Sequence, residues 1–184
     1  MLENKRISLR KIKVEDAQTL LKWGQDELYH QTAGFERFTD LKQAQRAAEQ
    51  YQKRLYSFAI IENKSQKMIG LVELYERGLD EQAGLLVTKD LGFILDKHYW
   101  HQGLMTEALI TIINYAFNEL NQQQIWAGTL SNNDASQHIL DKLGFKYIYT
   151  ADFKQASETF GFKEKYFLLT PDDWYDKMQL NTKS

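Results

Sequence analysis

The apolar residues of this chain follow two spacings, one typical of strands and one typical of helices. Residues 6–12 alternate apolar and basic side chains, which predicts a half-buried strand, and residues 14–24 follow helical spacing. A second helix is predicted over about 41–54. Residues 57–76 contain two β-rich apolar runs around the polar residues 63–66, and this pattern predicts a hairpin.

The strongest periodic signal is a helix that begins at Leu104 and extends to about Leu120. A strand is predicted before it, over 90–96, and Leu85–Val87 fits either that strand or a separate one. The helical stripe recurs over about four turns. Its apolar positions are 104, 105, 108, 109, 112, 113, 116, 117 and 120.

The remaining elements are predicted by short apolar runs and by capping residues. An Asn or Asp opens the helix over 133–144 and Gly144 ends it. Thr170 and Pro171 start a last short helix. The predicted strands are 124–130, 145–149 and 162–169. The order of elements predicts an α/β fold around a mixed sheet.

Composition narrows the class of protein. With 184 residues, 43% apolar and 26% charged, the chain suits one domain over residues 1–184. The net charge of -2, from 23 basic and 25 acidic residues, does not favour nucleic acid as a partner. No apolar run approaches the ~20 residues that span a membrane, and the charged amino terminus does not resemble a signal peptide, which predicts a cytoplasmic location. The absence of Cys excludes a cysteine acyl-enzyme.

The start of the long helix lacks a capping side chain. The residues before Leu104 are His101, Gln102 and Gly103, none of which is a Ser, Thr, Asp or Asn that could cap the helix with its side chain. Several backbone N–H groups are then left for an external acceptor, and the positive end of the helix dipole favours an anion such as a pyrophosphate. A tight strand-to-helix turn is the alternative interpretation. The chain has neither a Walker-type loop nor a dinucleotide-binding G-x-G-x-x-G.

Three stretches, "LGFILDKHYWHQGLMTEAL", "SNNDASQHILDKLGF" and "YFLLTPDDW", resemble the Gcn5-related N-acetyltransferase (GNAT) superfamily, specifically its ribosomal-protein N-acetyltransferase-like (RimJ/RimL-like) branch. Order and spacing match from Arg6 to Trp174. The resemblance implies a single-domain α/β fold with a mixed, mostly antiparallel sheet that is splayed at the cofactor site and flanked by helices. It also implies acetyl-coenzyme A as cofactor.

The family signature, [Q/R]-x-x-G-x-[G/A], is altered here. Trp100 stands at its first position and Met105 at its last, and Gly103 alone is kept. Trp at the first position is common in the branch. The resemblance places the pyrophosphate among His101, Gln102, Gly103, Leu104, Met105 and Thr106. It assigns backbone hydrogen bonds with the pantetheine arm to Phe93, Ile94 and Leu95, and places Asn133 and Ser136 beside the pantetheine and the thioester sulfur.

Acetyl transfer to an amine requires a neutral amine, so removal of its proton is the harder step. Asp90 and Glu73 are the carboxylates we expect to take that proton, through water; each also fits an ordinary structural acid. Related enzymes of another branch carry a Glu and a Tyr where this chain has Gly128 and Leu140. By that comparison Ser136 is the candidate acid.

Other residues receive structural interpretations. His98 and His101 flank Trp100 without a carboxylate or Cys to complete a ligand set, so no metal is expected. The sequence predicts that Trp23, Trp126 and Trp174 belong to the core.

In a fold of this kind, the segment Tyr29 to Phe38, predicted as a loop between two helices, is a candidate for acceptor specificity.

The resulting hypothesis is an acetyl-coenzyme A-dependent N-acetyltransferase that acts on a primary amine, most like the enzymes that acetylate protein N-terminal α-amines, and transfers the acetyl group directly in a ternary complex. A small-molecule acetyltransferase, for a polyamine or an aminoglycoside-type amine, is one alternative, since "GLVELYE" is similar to a stretch in spermidine acetyltransferases. A non-catalytic acyl-coenzyme A-binding module is another. A monomer and a homodimer both remain open.

Overall fold

The computed structural model describes residues 2–78, 80–153 and 162–182. These residues form eight strands and six helices. The strands are β1 (Leu2–Glu3), β2 (Ile7–Lys11), β3 (Ser57–Glu62), β4 (Met68–Glu76), β5 (Thr88–Leu95), β6 (Gln124–Leu130), β7 (Lys146–Asp152) and β8 (Lys163–Leu169). The helices are α1 (Ala17–Gly24), α2 (Glu27–Ala33), α3 (Leu41–Lys53), α4 (Leu104–Asn118), α5 (Asp134–Lys142) and α6 (Pro171–Thr182).

The strands form one open, mixed sheet in the order β1-β2-β3-β4-β5-β6-β8-β7. Strands β5 and β6 pair in parallel, whereas the pairs β1-β2, β2-β3, β3-β4, β6-β8 and β7-β8 are antiparallel. The predicted α/β class and mostly antiparallel sheet are therefore confirmed.

The ladder between β5 and β6 is short. It runs from Thr88 opposite Gln124 to Asp90 opposite Trp126. Beyond Trp126, β6 continues to pair with β8 on its other side, up to Leu130 opposite Glu164. Within the described residues the later part of β5 is thus outside this ladder.

Contacts divide the chain into two compact units, with boundaries after Leu74, Gly92 and Ile112. The first unit contains residues up to Leu74 together with Phe93–Ile112, and the second contains the others. A buried aromatic and aliphatic cluster forms the core of the first unit. It includes Ile12, Leu20, Trp23, Tyr29, Phe35, Phe38, Tyr51, Leu71 and Ile94.

The second unit has its own buried residues, because one face of β6 and β8 is apolar. Ile125, Ala127 and Leu169 are at most 1% exposed, and Trp174 of α6 is fully buried. The indole N–H of Trp174 donates to Asn114 Oδ1 at 2.9 Å, which satisfies the one polar group of that side chain.

Several predicted elements are confirmed. The hairpin turn lies between β3 and β4, and helix α5 begins after Asn133 and is followed by Gly144 with φ 90°. The Thr170 hydroxyl accepts from the Asp173 amide before α6. Leu85–Val87, left open from the sequence, forms a 3₁₀ turn before β5.

Other predictions were wrong or incomplete. Trp126 is half-buried and not part of the core, and its ring contacts the guanidinium of Arg77 and the ring of Tyr149. Residues 14–16 of the helix predicted over 14–24 form a 3₁₀ turn, whereas α1 ends at Gly24 as predicted. Gly24 also serves close packing, since a β-carbon there would lie 2.9 Å from the Phe38 amide nitrogen. The predicted loop over Tyr29 to Phe38 is helical as far as Ala33: Asp26 caps α2 through the Leu28 amide, and Gly34 ends it with φ 61°.

Candidate functional site

The turn before α4 has an unusual backbone. His101 and Gly103 have φ values of 58° and 75°, in the left-handed region that side chains disfavour. The first helical hydrogen bond at this end runs from the Glu107 amide to the Gly103 carbonyl at 3.1 Å. In the part of the chain that the structure describes, the amides of Leu104, Met105 and Thr106 have no acceptor. The predicted uncapped helix start is thus present.

This turn is tied to residues that are distant in sequence. Arg6, just before β2, donates from Nη1 to the Gln102 carbonyl at 2.9 Å and from Nε to Glu107 Oε1 at 2.6 Å. Trp100 donates its indole N–H to the Leu95 carbonyl at 2.8 Å. The turn is consequently preorganised by contacts at both of its ends.

Asp96 anchors the segment that leads into the turn. This carboxylate is 5% exposed and accepts from Trp23 Nε1 at 3.2 Å, from Lys22 Nζ at 3.1 Å and from the His98 amide at 3.0 Å. Burial alone would raise the pKa of Asp96, but the hydrogen bonds from His98, Trp23 and Lys22 hold it below its ordinary value. Asp96 is therefore ionised at neutral pH.

The residues predicted to surround the pyrophosphate lie together in this turn, but they differ in what they expose. His101, Gln102 and Gly103 are exposed, whereas the side chains of Leu104 and Met105 are buried at 4% exposure each. Leu104 and Met105 therefore have only their backbone amides to offer to a ligand.

The residues predicted to contact the pantetheine arm, Phe93, Ile94 and Leu95, are the last three of β5. Phe93 is half-buried, and Ile94 and Leu95 are buried. The Leu95 carbonyl already accepts the Trp100 indole N–H, so one of its two lone pairs is engaged.

The Asn133 and Ser136 pair lies at the start of α5. Asn133 Oδ1 accepts from the Ser136 amide at 3.1 Å, which confirms the predicted Asn cap. The cap uses the backbone of Ser136, and among the described residues its hydroxyl has no hydrogen-bond partner. The hydroxyl of the half-buried Ser136 is thus left for a ligand.

Asp90 lies on β5 beside an arginine. Arg77 Nη1 is 2.6 Å from Asp90 Oδ1, and the Arg77 guanidinium stacks over Trp126 with Cζ 4.4 Å from the ring centroid. Burial raises the pKa of Asp90, and the Arg77 charge and hydrogen bond oppose that shift. A carboxylate with a raised pKa that remains partly exposed is suited to accept a proton.

Glu73 lies in a different environment. It is 3% exposed, and its Oε1 accepts from Arg54 Nη1 at 2.9 Å and from the Ser57 hydroxyl. Arg54 also stacks over Tyr51, at 4.6 Å from the ring centroid. Because this buried carboxylate is already engaged by an ion pair with Arg54 and a hydrogen bond from Ser57, Glu73 is a weaker candidate for the base than Asp90.

A carboxylate that the sequence reasoning missed lies beside Gly128. A β-carbon added there would lie 3.6 Å from Glu164 Oε2 and 3.3 Å from Tyr166 Cε1. Tyr166 donates its hydroxyl to Glu164 Oε2 at 2.7 Å, and burial together with that carboxylate raises the pKa of the Tyr166 phenol. The antiparallel pairing of Gly128 with Tyr166 creates this arrangement, and the sequence spacing alone does not reveal it.

His98 has a contact that the sequence did not predict. His98 Nδ1 lies 2.6 Å from Asp96 Oδ1, so a carboxylate does accompany His98. Across the described ranges, no three His, Asp or Glu side chains are grouped so as to hold a metal ion.

No helix in the described ranges is long and apolar enough to span a membrane.

Comparison with known proteins identifies the family. A family model described as Acetyltransferase (GNAT) domain matches residues 6–146. The chain is 33% identical over 155 residues to the Probable N-acetyltransferase YjcK of Bacillus subtilis (strain 168), covering 79% of this chain and 83% of that protein. The chain therefore belongs to the GNAT family, and it is an acyltransferase of N-acetyltransferase type.

Solved structures share the fold. The ribosomal-protein-S5-alanine acetyltransferase of Vibrio fischeri superposes with a TM-score of 0.70 at 21% identity, over 94% of this chain and 97% of that one. A spermidine N-acetyltransferase SpeG chimera from Vibrio cholerae and hSSAT superposes with a TM-score of 0.74 at 14% identity, over 93% and 99%. At these identities the likeness concerns the fold alone.

Proposed function

We propose that this protein transfers the acetyl group of acetyl-coenzyme A to a primary amine and belongs to the RimJ/RimL-like branch, with a protein N-terminal α-amine as acceptor. The observation that carries the proposal is the uncapped start of α4 behind two left-handed residues, in a chain of GNAT type. Amides without an acceptor at the positive end of a 15-residue helix suit a diphosphate.

The residues present fit the cofactor. Gly103 leaves the backbone open to close approach, and the nearest side-chain atom to a β-carbon placed there would be Arg6 Nη2 at 3.4 Å. The amides of Leu104, Met105 and Thr106 would hold the diphosphate, with the turn at His101 and Gln102 beside it. The end of β5 would hydrogen-bond the pantetheine arm.

The chemistry assigned to the chain is acid–base. Bound acetyl-coenzyme A supplies the thioester carbonyl that the amine attacks, so that a C–N bond forms and the C–S bond breaks. Asp90 accepts the proton that the amine nitrogen gives up, through water. The Ser136 hydroxyl donates a hydrogen bond to the leaving sulfur, which needs little further help because a thiol has a pKa of ~8.5.

The choice of a protein N-terminal α-amine as acceptor rests on the proposed RimJ/RimL-like branch. The Vibrio fischeri protein that shares the fold is a ribosomal-protein-S5-alanine acetyltransferase. The segment Tyr29 to Phe38, now α2 and the residues after it, is our candidate for acceptor contacts. A small polycationic amine is the second candidate, because "GLVELYE" resembles spermidine acetyltransferases and a SpeG chimera shares the fold.

An acetyl-transfer screen tests the proposal. The protein is incubated with acetyl-coenzyme A and either a panel of peptides with different N-termini or a panel of polyamines and aminoglycosides, and products are detected by mass spectrometry. Acetylation of peptide α-amines is the expected result. Acetylation confined to small amines would show that the acceptor is a small amine and not a protein N-terminus. No turnover with any amine would favour a non-catalytic acyl-coenzyme A-binding module.

A further inference from the structure

Arg6 joins the two ends of the turn before α4. Its guanidinium donates to the Gln102 carbonyl at 2.9 Å and to Glu107 Oε1 at 2.6 Å through Nε, and its Nη2 forms a second contact with the same oxygen. Glu107 lies 101 positions further along the chain, in the first turn of α4. One planar cation therefore fixes both a carbonyl of the turn and a side chain of the helix.

Glu107 makes this contact electrostatically important. Its side chain is 25% exposed, and among the described residues its Oε2 is buried without a hydrogen-bond partner. A carboxylate in the first turn of a helix interacts favourably with the helix dipole, and so competes with an external anion for the same positive end. Arg6 supplies the charge that neutralises it.

We propose that Arg6 is a positioning residue for the coenzyme: it neutralises Glu107 and fixes the Gln102 carbonyl, so that the amides of Leu104, Met105 and Thr106 remain available to the diphosphate. This inference rests on the proposed function. Its physical consequence is specific, because an unneutralised Glu107 would repel a phosphate but would have little effect on an uncharged ligand.

The test compares two ligands in four proteins. Coenzyme A affinity is measured by calorimetry, and the affinity for pantetheine, which lacks the phosphates, is measured by ligand-observed NMR. The proteins are the wild type, Arg6→Ala, the double variant Arg6→Ala/Glu107→Gln, and Arg46→Ala. Arg46 is exposed on α3 and controls for the loss of one positive charge. Arg6→Gln replaces Arg6→Ala if the latter does not fold.

We expect Arg6→Ala to weaken coenzyme A binding by about tenfold, the effect of losing one charge-assisted interaction, with pantetheine affinity unchanged. The double variant should recover most of the coenzyme A affinity, and Arg46→Ala should match the wild type.

Three results would overturn the inference. The affinity of Arg6→Ala for coenzyme A could equal that of the wild type; it could fall for both ligands alike; or the double variant could bind as weakly as Arg6→Ala, which would indicate a direct contact between Arg6 and phosphate. Failure of the wild type itself to bind coenzyme A would instead contradict the proposed function, and this inference with it.

Discussion

The two units carry different kinds of functional group. In the first unit the candidate cofactor-binding groups are backbone amides, those that follow Gly103, held in place by Arg6 and Asp96. In the second unit the candidate catalytic groups are side chains, the Asp90 carboxylate and the Ser136 hydroxyl. Backbone amides do not titrate near neutral pH, so they bind an anion without any change in their own protonation. A carboxylate, in contrast, can accept and release a proton.

This difference implies that cofactor binding and chemistry respond to different substitutions. Changes at the turn of the first unit should alter coenzyme A affinity. Changes at Asp90 or Ser136 should alter kcat or its pH dependence and leave that affinity nearly unchanged. A single substitution that changed coenzyme A affinity and kcat together would contradict this separation of binding from chemistry.

The largest expected effect is that of Asp90→Asn. Loss of a general base costs ~10²–10⁴-fold in rate, and we expect about 100-fold in kcat. If Asp90 is the base, the wild type should be active when Asp90 is deprotonated, and its activity should fall as the pH falls through a pKa that burial has raised above the ordinary carboxyl value. In Asp90→Asn the pH profile of kcat/KM should lose the part of the acidic limb that Asp90 causes and keep the part caused by protonation of the acceptor amine.

Two matched variants sharpen this test. Arg77→Gln removes the positive charge that lowers the pKa of Asp90, so the acidic limb should move to higher pH. Glu164→Gln should leave the limb in place. If Glu164→Gln removes the limb and Asp90→Asn does not, the base is the carboxylate beside Gly128 on β8.

Ser136→Ala should reduce kcat by about 10- to 100-fold, equivalent to roughly 1.4 to 2.7 kcal/mol of transition-state stabilisation, with unchanged coenzyme A affinity. Its melting temperature should stay close to that of the wild type, because the helix cap uses the Ser136 amide. Asn133→Ala, which removes that cap, should lose ~1 kcal/mol of stability, or about 2–4 °C. A normal kcat with a lowered melting temperature in Ser136→Ala would assign the hydroxyl a structural role.

Gly103→Val should weaken coenzyme A binding by about tenfold, because a branched side chain blocks approach to the amides and strains a residue with φ 75°. Gly84→Val is the control: Gly84 has φ 69°, and a β-carbon there meets no atom within 4 Å. Both variants should lose stability, but only Gly103→Val should lose affinity. Unchanged affinity in a folded Gly103→Val protein would contradict the anion site.

Features set by neighbouring residues were predictable from the sequence. The Asn133 cap, the Thr170 and Pro171 start of α6 and the stripe of α4 each depend on residues within a turn or two of one another. The fold class followed from the order of such elements and from the resemblance to the family.

Features set by distant residues were not predictable in this way. The Arg6 contact spans about a hundred positions, Asp96 is held by α1, and Glu164 approaches Gly128 only through the β6-β8 register. Helix α2 was missed because the segment over Tyr29 to Phe38 is rich in aromatic and charged residues without clear helical spacing; its boundaries come from the Asp26 cap and Gly34.

Direct transfer to an amine is the central claim, and one mass-spectrometric experiment tests it most directly. The protein is incubated with acetyl-coenzyme A alone, sampled, and then given an acceptor amine. Because the chain has no Cys to hold an acetyl group, the account predicts an unmodified protein in the first sample and one acetyl group on the acceptor in the second. An acetylated protein that forms before acceptor is added and then passes its acetyl group to the amine would contradict direct transfer.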